Sequence, residues 1–170
     1  SCALVEGPTG YTQENLDKLK KLSVSRAVFA SRNLSLGTNV LFRLCALAAR
    51  ELKNFDVEII ERHERNKSGV PGGTTLSLAK AIRDAIGGDG KIICGRSSRR
   101  KKGEICIHSV RGGGIQGERE VLFIGDKETI SVRHTDDDKS LYAETAVAVA
   151  RFVSTCAPGL YSLNDYYAAR

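Results

Sequence analysis

The 170-residue sequence has no methionine, no tryptophan and only three prolines. It also has no apolar run near the roughly 20 residues that a membrane-spanning helix needs, which argues against a membrane protein. No basic segment leads into an apolar one at the start, so we predict no signal peptide. Because even an initiator methionine is absent, we expect the chain to begin inside a longer protein.

The five cysteines include no pair at the C-x-x-C spacing that is typical of zinc sites. They are Cys2, Cys45, Cys94, Cys106 and Cys156. An odd number of cysteines scattered over predicted core elements indicates reduced, buried thiols and therefore a cytoplasmic protein. We predict no metal site from this pattern.

The net charge of +6 permits an anionic partner. Most of the basic residues are dispersed, and the one dense run is RSSRRKK, residues 96–102, which contains no aromatic residue. We interpret this run as a solvated loop, with contacts to phosphate or nucleic acid as the second interpretation. Nucleic acid is therefore not the partner that we expect.

The most informative stretch is VEIIERHERNKSGVPGGTT, residues 57–75. It begins as a strand and delivers His63 and Lys67 into a glycine-rich loop. The loop ends at Thr74 and Thr75, which we predict as N-caps of the helix that follows. Amides at a helix N-terminus, the close approach that glycine permits and a lysine charge together suit a carboxylate or phosphate. The stretch therefore predicts an anion site.

The remaining pattern predicts an α+β fold. Residues 2–30 alternate between strand, helix and strand, which is typical of a βαβ unit in a parallel sheet. Four further strands are predicted between residues 91 and 134, with a hairpin turn at residues 125–128, before a last helix. We predict a mixed or antiparallel sheet domain with flanking helices, preceded by a partial Rossmann-type βαβ segment.

The central stretch resembles the signature of dihydrodipicolinate reductases, the nicotinamide-dependent enzymes of lysine biosynthesis. In that family a strand ending in E-x-H-H leads through x-x-K to a P-S-G-T turn. The matching residues, in the same order and spacing, are Glu61, His63, Lys67, Pro71, Gly73 and Thr74. The sequence departs from the signature at Glu64, where the family has its second histidine, and at Gly72, where it has serine.

Two other segments resemble the cofactor side of the same family. Gly7, Thr9 and Gly10 match a G-T-T-G turn near the nicotinamide, although a simple Pro-Gly turn explains the pattern equally well. Asn33 and Ser35 match a hinge between domains, where capping of the next helix is the alternative role. The resemblance implies NADH or NADPH as the cofactor, bound in part by these five residues.

The G-x-G-x-x-G fingerprint of a dinucleotide site is absent, and in the family it lies upstream of the point where this sequence starts. The chain is therefore either a fragment or a shortened homologue without a complete cofactor site. By resemblance, residues 1–35 end a dinucleotide-binding domain, and residues 36–135 form the domain for substrate binding and oligomerisation. Residues 136–170 then form a C-terminal helix and tail that return to the nucleotide-binding domain.

The resemblance implies reduction of dihydrodipicolinate (hydroxy-tetrahydrodipicolinate) to tetrahydrodipicolinate, in the diaminopimelate route to lysine, by a homotetramer. The substrate is then a small imine with two carboxylates. His63 is the candidate proton donor, and Lys67 is a second candidate donor and a carboxylate anchor. The remaining substrate-binding candidates are Glu64, Gly72, Gly73 and Thr74.

Glu64 keeps other functions open. A carboxylate that points into the site, about 4 Å from a substrate carboxylate, would cost around 1–4 kcal/mol. Strand alternation also allows Glu64 to face solvent. The alternatives are a related imine reductase whose different substrate is recognised by Glu64, and a non-catalytic homologue without a complete cofactor site.

Overall fold

The computed structural model describes residues 2–7, 12–31 and 33–170. Its strands are β1 (Leu4–Glu6), β2 (Ala27–Ala30), β3 (Asp56–His63), β4 (Ile92–Cys94), β5 (Ile105–Arg111), β6 (Glu118–Ile124), β7 (Thr129–Thr135) and β8 (Gly159–Tyr161). Its helices are α1 (Gln13–Ser23), α2 (Leu36–Glu51), α3 (Gly73–Ile86), α4 (Ser140–Ser154) and α5 (Leu163–Ala168). Within the described ranges, no helix is long and apolar enough to cross a membrane.

The chain forms two compact units, and the smaller one contains both ends of the chain, Ser1–Asn39 and Lys139–Arg170. Its three-stranded sheet is parallel, with strand order β1-β2-β8. Phe29 of β2 packs with Val149 and Val153 of α4 in its core. The βαβ segment predicted for residues 2–30 is thereby confirmed. The third strand, β8, was not predicted, because it pairs with β2 from the far end of the chain.

The larger unit, Val40–Asp138, contains a five-stranded mixed sheet with strand order β4-β5-β3-β6-β7. β3 and β4 both pair with β5 in parallel, whereas β6 is antiparallel to β3 and to β7. The Gly125 amide donates to the Glu128 carbonyl at 2.9 Å, which confirms the predicted hairpin turn. The α+β prediction with a mixed sheet is therefore confirmed.

Apolar residues of α2 and α3 cover one face of this sheet. The buried cluster consists of Leu41, Cys45, Ala49, Val57, Ile59, Leu78, Ala79, Ile82, Ile105, Ile107, Val121 and Phe123. Along β3 burial alternates strictly, because successive side chains of a strand point to opposite faces. Glu61 and His63 are the last two residues on the covered face, at the carboxyl end of β3. This end of the strand leads into the loop before α3.

The predicted N-caps of α3 are wrong. The N-cap is Gly72, with φ −64° and ψ 147° and no side-chain cap, so Thr74 and Thr75 lie inside the first turn. Glycine is acceptable at this position because its own amide finds another acceptor in the larger unit.

The prediction of a solvated basic run is wrong for two of its arginines. Arg96 donates to Glu58 at 2.6 Å and to Glu104 at 3.0 Å, and Arg100 pairs with Asp56 at 2.8 Å. Both guanidinium groups are therefore held at the surface of the sheet by carboxylates that are distant in sequence.

The prediction of buried thiols is confirmed for Cys45 and Cys106 but wrong for Cys2 and Cys94, which are exposed. Cys156 is half-buried, and all five cysteines are free. Burial raises the pKa of Cys45 to about 12, so this thiol stays protonated and serves as an apolar core residue.

Candidate functional site

A buried carboxylate, Glu61, organises the carboxyl end of β3. Glu61 is fully buried, and its oxygens accept the Gly72 amide at 3.0 and 3.1 Å. The Ser109 hydroxyl and the Arg111 guanidinium each donate to Glu61 at 2.8 Å. One side chain therefore connects β3 and β5 to the residue that precedes α3.

Glu61 remains ionised in spite of its burial. Burial alone would raise the pKa of Glu61, but the nearby Thr75 hydroxyl and the hydrogen bonds from Arg111 and Ser109 outweigh it and lower the pKa to about 2. The Gly72 amide lowers it as well. At neutral pH the carboxylate is therefore a fixed negative charge that holds the loop before α3.

His63 lies in a slot between two glycines. It is 5% exposed, on the same face of β3 as Glu61. A Cβ added to Gly72 would fall 3.9 Å from its Nε2, and a Cβ added to Gly117 would fall 3.1 Å from its Cε1. At Gly117 the absence of a side chain gives the imidazole its space, whereas the Gly72 position lies at ordinary van der Waals distance from the ring. We call this arrangement the glycine slot.

The imidazole of His63 is neutral at pH 7 in the ligand-free protein. Burial lowers the pKa of His63 below its ordinary value of 6.5, and the Arg119 guanidinium lowers it further, although Glu61 acts in the opposite direction. A bound anion beside the ring would favour the imidazolium form. Protonation of His63 is therefore coupled to the charge of a ligand.

Arg119 belongs to a second buried charge pair next to the glycine slot. Its Nη1 donates to Asp136 Oδ2 at 3.3 Å, and a Cβ added to Gly117 would fall 2.7 Å from the same oxygen. The Asp136 amide donates to the Gly117 carbonyl at 2.7 Å. Arg119 therefore places a permanent positive charge next to the glycine slot.

Arg111 and Glu64 fix the loop between β3 and α3. Arg111 donates to the carbonyls of Lys67 at 3.3 Å and Gly69 at 2.8 Å. The Glu64 carboxylate accepts the Asn66 amide at 2.5 Å. Lys67 is exposed, and its Nζ donates to the carbonyl of the next residue at 3.0 Å. The loop therefore uses Glu64 for its own turn and presents a lysine to solvent.

The first turn of α3 offers backbone donors to a ligand. The Gly72 amide is taken by Glu61, whereas the amides of Gly73 and Thr74 lie in the turn that has no intrahelical acceptors. Around the Cβ position of Gly73, nothing in the described part of the chain lies within 4 Å apart from its own helix and chain neighbours. A carboxylate can approach these amides closely.

Asn33 and Ser35, predicted to bind the cofactor, belong to the smaller unit. Asn33 Oδ1 accepts the Ser35 amide at 2.7 Å, and Ser35 Oγ accepts the Thr38 amide at 3.0 Å. The Ser35 hydroxyl therefore has the capping role that was the alternative, whereas Asn33 closes the turn before the helix. Directly after this cap, α2 begins at Leu36.

Gly7, the next predicted cofactor contact, packs against Leu34. A Cβ added to Gly7 would fall 2.5 Å from Leu34 Cδ1, so a larger residue would require this leucine to move. Thr9 and Gly10, from the same predicted turn, lie outside the described residues. Gly7 therefore has a packing role whether or not it contacts a cofactor.

The sequence did not identify the residues that surround Glu61 and His63. These are Ser109, Arg111, Gly117, Arg119 and Asp136. The parallel register sets Glu61 opposite Ser109 and His63 opposite Arg111. The residues that the sequence did not identify lie in and next to strands β5, β6 and β7, where no local sequence pattern marked them as part of a site.

We expect Gly117→Ala to displace the His63 ring and to lower the free energy of unfolding by about 1–3 kcal/mol. The new methyl group would lie 2.7 Å from Asp136 Oδ2 and 3.1 Å from His63 Cε1, so a buried side chain must move. Urea unfolding measures the loss, and the imidazole NMR signals report the ring.

Gly114→Ala is the matched control, because its added Cβ meets nothing within 4 Å in the described chain. An unchanged His63 signal in Gly117→Ala would contradict the glycine slot. A shift of equal size in both variants would contradict it as well.

Known proteins that resemble the chain include a family and two close relatives. The family model described as dihydrodipicolinate reductase, C-terminus, matches residues 37–167. A 4-hydroxy-tetrahydrodipicolinate reductase of Methanosarcina acetivorans is 40% identical over 166 residues, which cover 95% of this chain and 62% of the relative. The enzyme of that name from Alkaliphilus oremlandii is 39% identical over 165 residues, with coverages of 95% and 68%. The chain thus spans 62–68% of the length of these relatives.

A solved structure has the same fold. It is a dipicolinate-bound dihydrodipicolinate reductase from Paenisporosarcina sp. TG-14, with a TM-score of 0.76. The match covers 94% of this chain and 62% of that one. At 24% sequence identity the likeness concerns the fold alone.

Proposed function

Since the chain belongs to the dihydrodipicolinate reductase family, we propose that it forms the substrate-binding part of a reductase that acts in the diaminopimelate route to lysine. The enzyme reduces 4-hydroxy-tetrahydrodipicolinate to tetrahydrodipicolinate with NADH or NADPH. The observation that carries the proposal is the position of His63 in the glycine slot, whose Gly72 side is the N-cap of α3. A proton donor, His63, and an anion site at the start of α3 then lie next to each other in the larger unit.

The proposed reduction needs a hydride and a proton, which come from different groups. Conversion of the 4-hydroxy compound to tetrahydrodipicolinate releases the hydroxyl as water, and a nicotinamide, when bound, would supply the hydride that reduces the resulting unsaturated imine. His63 would supply a proton after the substrate carboxylates have favoured its imidazolium form. The amides of Gly73 and Thr74 and the ammonium group of Lys67 bind the two carboxylates. Lys67 is the second candidate donor, since it is exposed on the same loop.

Glu64 supports a dicarboxylate substrate over a cationic one. Its carboxylate accepts the Asn66 amide within its own turn, so it does not need a substrate cation as partner. Gly72 lies against Glu61, because its amide is bound to that carboxylate and a Cβ added to it would fall 3.0 Å from Glu61 Oε2. A related imine reductase with another substrate and a non-catalytic homologue are the competing functions that the experiment below tests.

The residues proposed to bind the cofactor belong to the smaller unit. Asn33 is half-buried, and its side-chain oxygen is used by Ser35, so among the described residues its NH₂ group has no partner and can serve as the donor for a nicotinamide. Ser35 is 1% exposed and caps α2, so it fits a positioning role better than a direct contact. The assignment of Gly7, Thr9 and Gly10 to the cofactor stays a prediction.

The assembly and the location of the enzyme extend the same proposal. A homotetramer in the cytoplasm follows from the family resemblance and from the free thiols. The division of the chain at residues 35 and 135 into functional domains also stays a prediction.

We expect the chain to bind pyridine-2,6-dicarboxylate, a flat mimic of the substrate, in calorimetric titrations. Lys67→Ala should weaken binding about 10- to 150-fold, because a hydrogen bond to a charged group contributes roughly 1.5–3 kcal/mol. The titration is repeated with NADH and with NADPH to detect a cofactor that changes the affinity.

Lys127→Ala is the matched control, since it removes the same charge from the exposed β6–β7 turn. It should leave the affinity unchanged. A folded parent chain that does not bind the mimic would contradict the proposal and favour the other functions. Equal weakening in both lysine variants would mean that net charge, rather than Lys67, attracts the ligand.

A further inference from the structure

The face of the five-stranded sheet opposite α2 and α3 carries a glutamate, a cysteine and a histidine close together. One ligand atom each from Glu58, Cys106 and His108 lie within 4.8 Å of one another. The parallel pairing of β3 and β5 sets Glu58 opposite Cys106, and His108 follows two residues later on the same face. We propose that this triad binds a divalent transition-metal ion, for which zinc is the best suited.

The three donor types suit zinc. Thiolate, imidazole and carboxylate are its usual protein ligands, and a site with three of them leaves the fourth tetrahedral position for water. Cys106 is fully buried, whereas the His108 side chain is 38% exposed. The buried Cys106 thiol lies on the side of the site that is shielded from water, and an ion can enter from solvent beside the exposed part of His108.

The two oxygens of Glu58 have different partners. Oε1 accepts Arg96 at 2.6 Å and Arg100 at 2.5 Å, whereas Oε2 lies 2.6 Å from His108 Nε2. The guanidinium groups therefore orient the carboxylate from outside, as partners of metal ligands commonly do. An ion between Oε2 and the imidazole replaces the hydrogen bond that joins them.

The local charge also permits a divalent cation. Arg96 pairs with Glu104 at 3.0 Å, and Arg100 pairs with Asp56 at 2.8 Å. These two carboxylates match the two guanidinium charges without Glu58. The carboxylate and the thiolate of the triad then supply two negative charges, which match a divalent ion.

The triad is separate from the proposed substrate site. Glu61 and His63 lie on the face of β3 that α2 and α3 cover, whereas the Glu58 side chain lies on the opposite face of the sheet. The inference therefore does not rest on the reductase function. A bound ion would join β3 to β5 on the side of the sheet that has no helix cover in this unit.

A cobalt(II) titration of the folded chain in a non-thiol reductant tests the proposal. We expect one ion per chain and a thiolate-to-cobalt charge-transfer band, because a thiolate is among the ligands. Cys106→Ser should abolish the band, and His108→Gln should weaken the affinity about tenfold or more. Zinc should compete with cobalt and raise the thermal unfolding midpoint of the parent but not of His108→Gln.

Cys94→Ser is the matched control, because Cys94 is an exposed thiol on the neighbouring strand β4. Its titration should equal that of the parent. The proposal is overturned if equimolar cobalt gives no thiolate band, or if the band persists in Cys106→Ser. If Cys106→Ser does not fold, the half-exposed His108→Gln decides, and an unchanged affinity in it overturns the proposal.

Discussion

Replacing Glu61 with alanine should lower the free energy of unfolding by about 3–5 kcal/mol, as expected when one partner of a buried ion pair is removed. The substitution leaves the Arg111 guanidinium, whose side chain is 16% exposed, without its carboxylate. It also leaves the Gly72 amide and the Ser109 hydroxyl without the acceptor that they share. Urea unfolding of the variant beside the parent measures the loss.

The same substitution should weaken binding of pyridine-2,6-dicarboxylate. Gly72 has no side-chain cap for α3, so the contact of its amide with Glu61 fixes the residue before the helix. Arg111 also holds the Lys67 and Gly69 carbonyls while it pairs with Glu61. Loss of the carboxylate therefore loosens both sides of the predicted anion site.

The pH dependence of stability identifies the charge as the cause. The pKa of Glu61 is about 2 in the folded chain and 4.5 ordinarily, so the unfolded chain binds the proton more readily between these values. The stabilisation is complete above pH 4.5 and is lost as the pH falls towards 2. It corresponds to about 3 kcal/mol. Stability of Glu61→Ala should depend less on pH over this window.

Two variants control for volume and for charge. Glu61→Gln keeps the shape and one oxygen acceptor, so it should lose less stability than Glu61→Ala but show the same weaker pH dependence. Glu14→Ala removes a carboxylate from an exposed pair with Lys18, 2.7 Å apart, and should change stability little. A loss in Glu61→Ala no larger than in Glu14→Ala would contradict the role of Glu61.

The sequence was informative where a local period determines structure. The pattern of residues 57–62 predicted a strand that leads to His63, and the structure confirms a strand at Asp56–His63. The prediction from sequence was wrong at the start of α3, because side-chain preference favoured threonine over glycine as the N-cap. The cap is Gly72 because a carboxylate eleven residues earlier binds its amide, which is a tertiary contact.

Contacts between residues on distant strands could not be predicted from the sequence either, because they too are tertiary contacts. A dense basic run has the composition of a solvated loop, yet Arg96 and Arg100 form ion pairs with Glu58 of β3. The spacing of Cys106 to other cysteines excluded a zinc motif, because such a search sees only neighbours along the chain. Strand register, which no local pattern encodes, brings Glu58 and His108 to that thiol.

In the reductase of which this chain forms the substrate-binding part, replacing His63 with alanine should reduce kcat about 10²- to 10⁴-fold with NADH or NADPH, because proton transfer by a positioned side chain contributes this much. The prediction rests on the proposed function. Steady-state rates measure it, and unfolding curves confirm that the variant is folded. A loss below about tenfold would exclude His63 as the principal donor and leave Lys67 as the candidate.

The pH profile distinguishes a proton donor from a residue that only shapes the site. Burial and Arg119 lower the pKa of His63 below 6.5, so the donor form is scarce in the free enzyme at neutral pH. If His63 donates the proton, kcat/KM rises as the pH falls and levels off below that pKa. Arg119→Gln removes a positive charge near the ring, so it should raise the pKa of His63 and move this limb to higher pH. A purely structural histidine would leave the limb where it is.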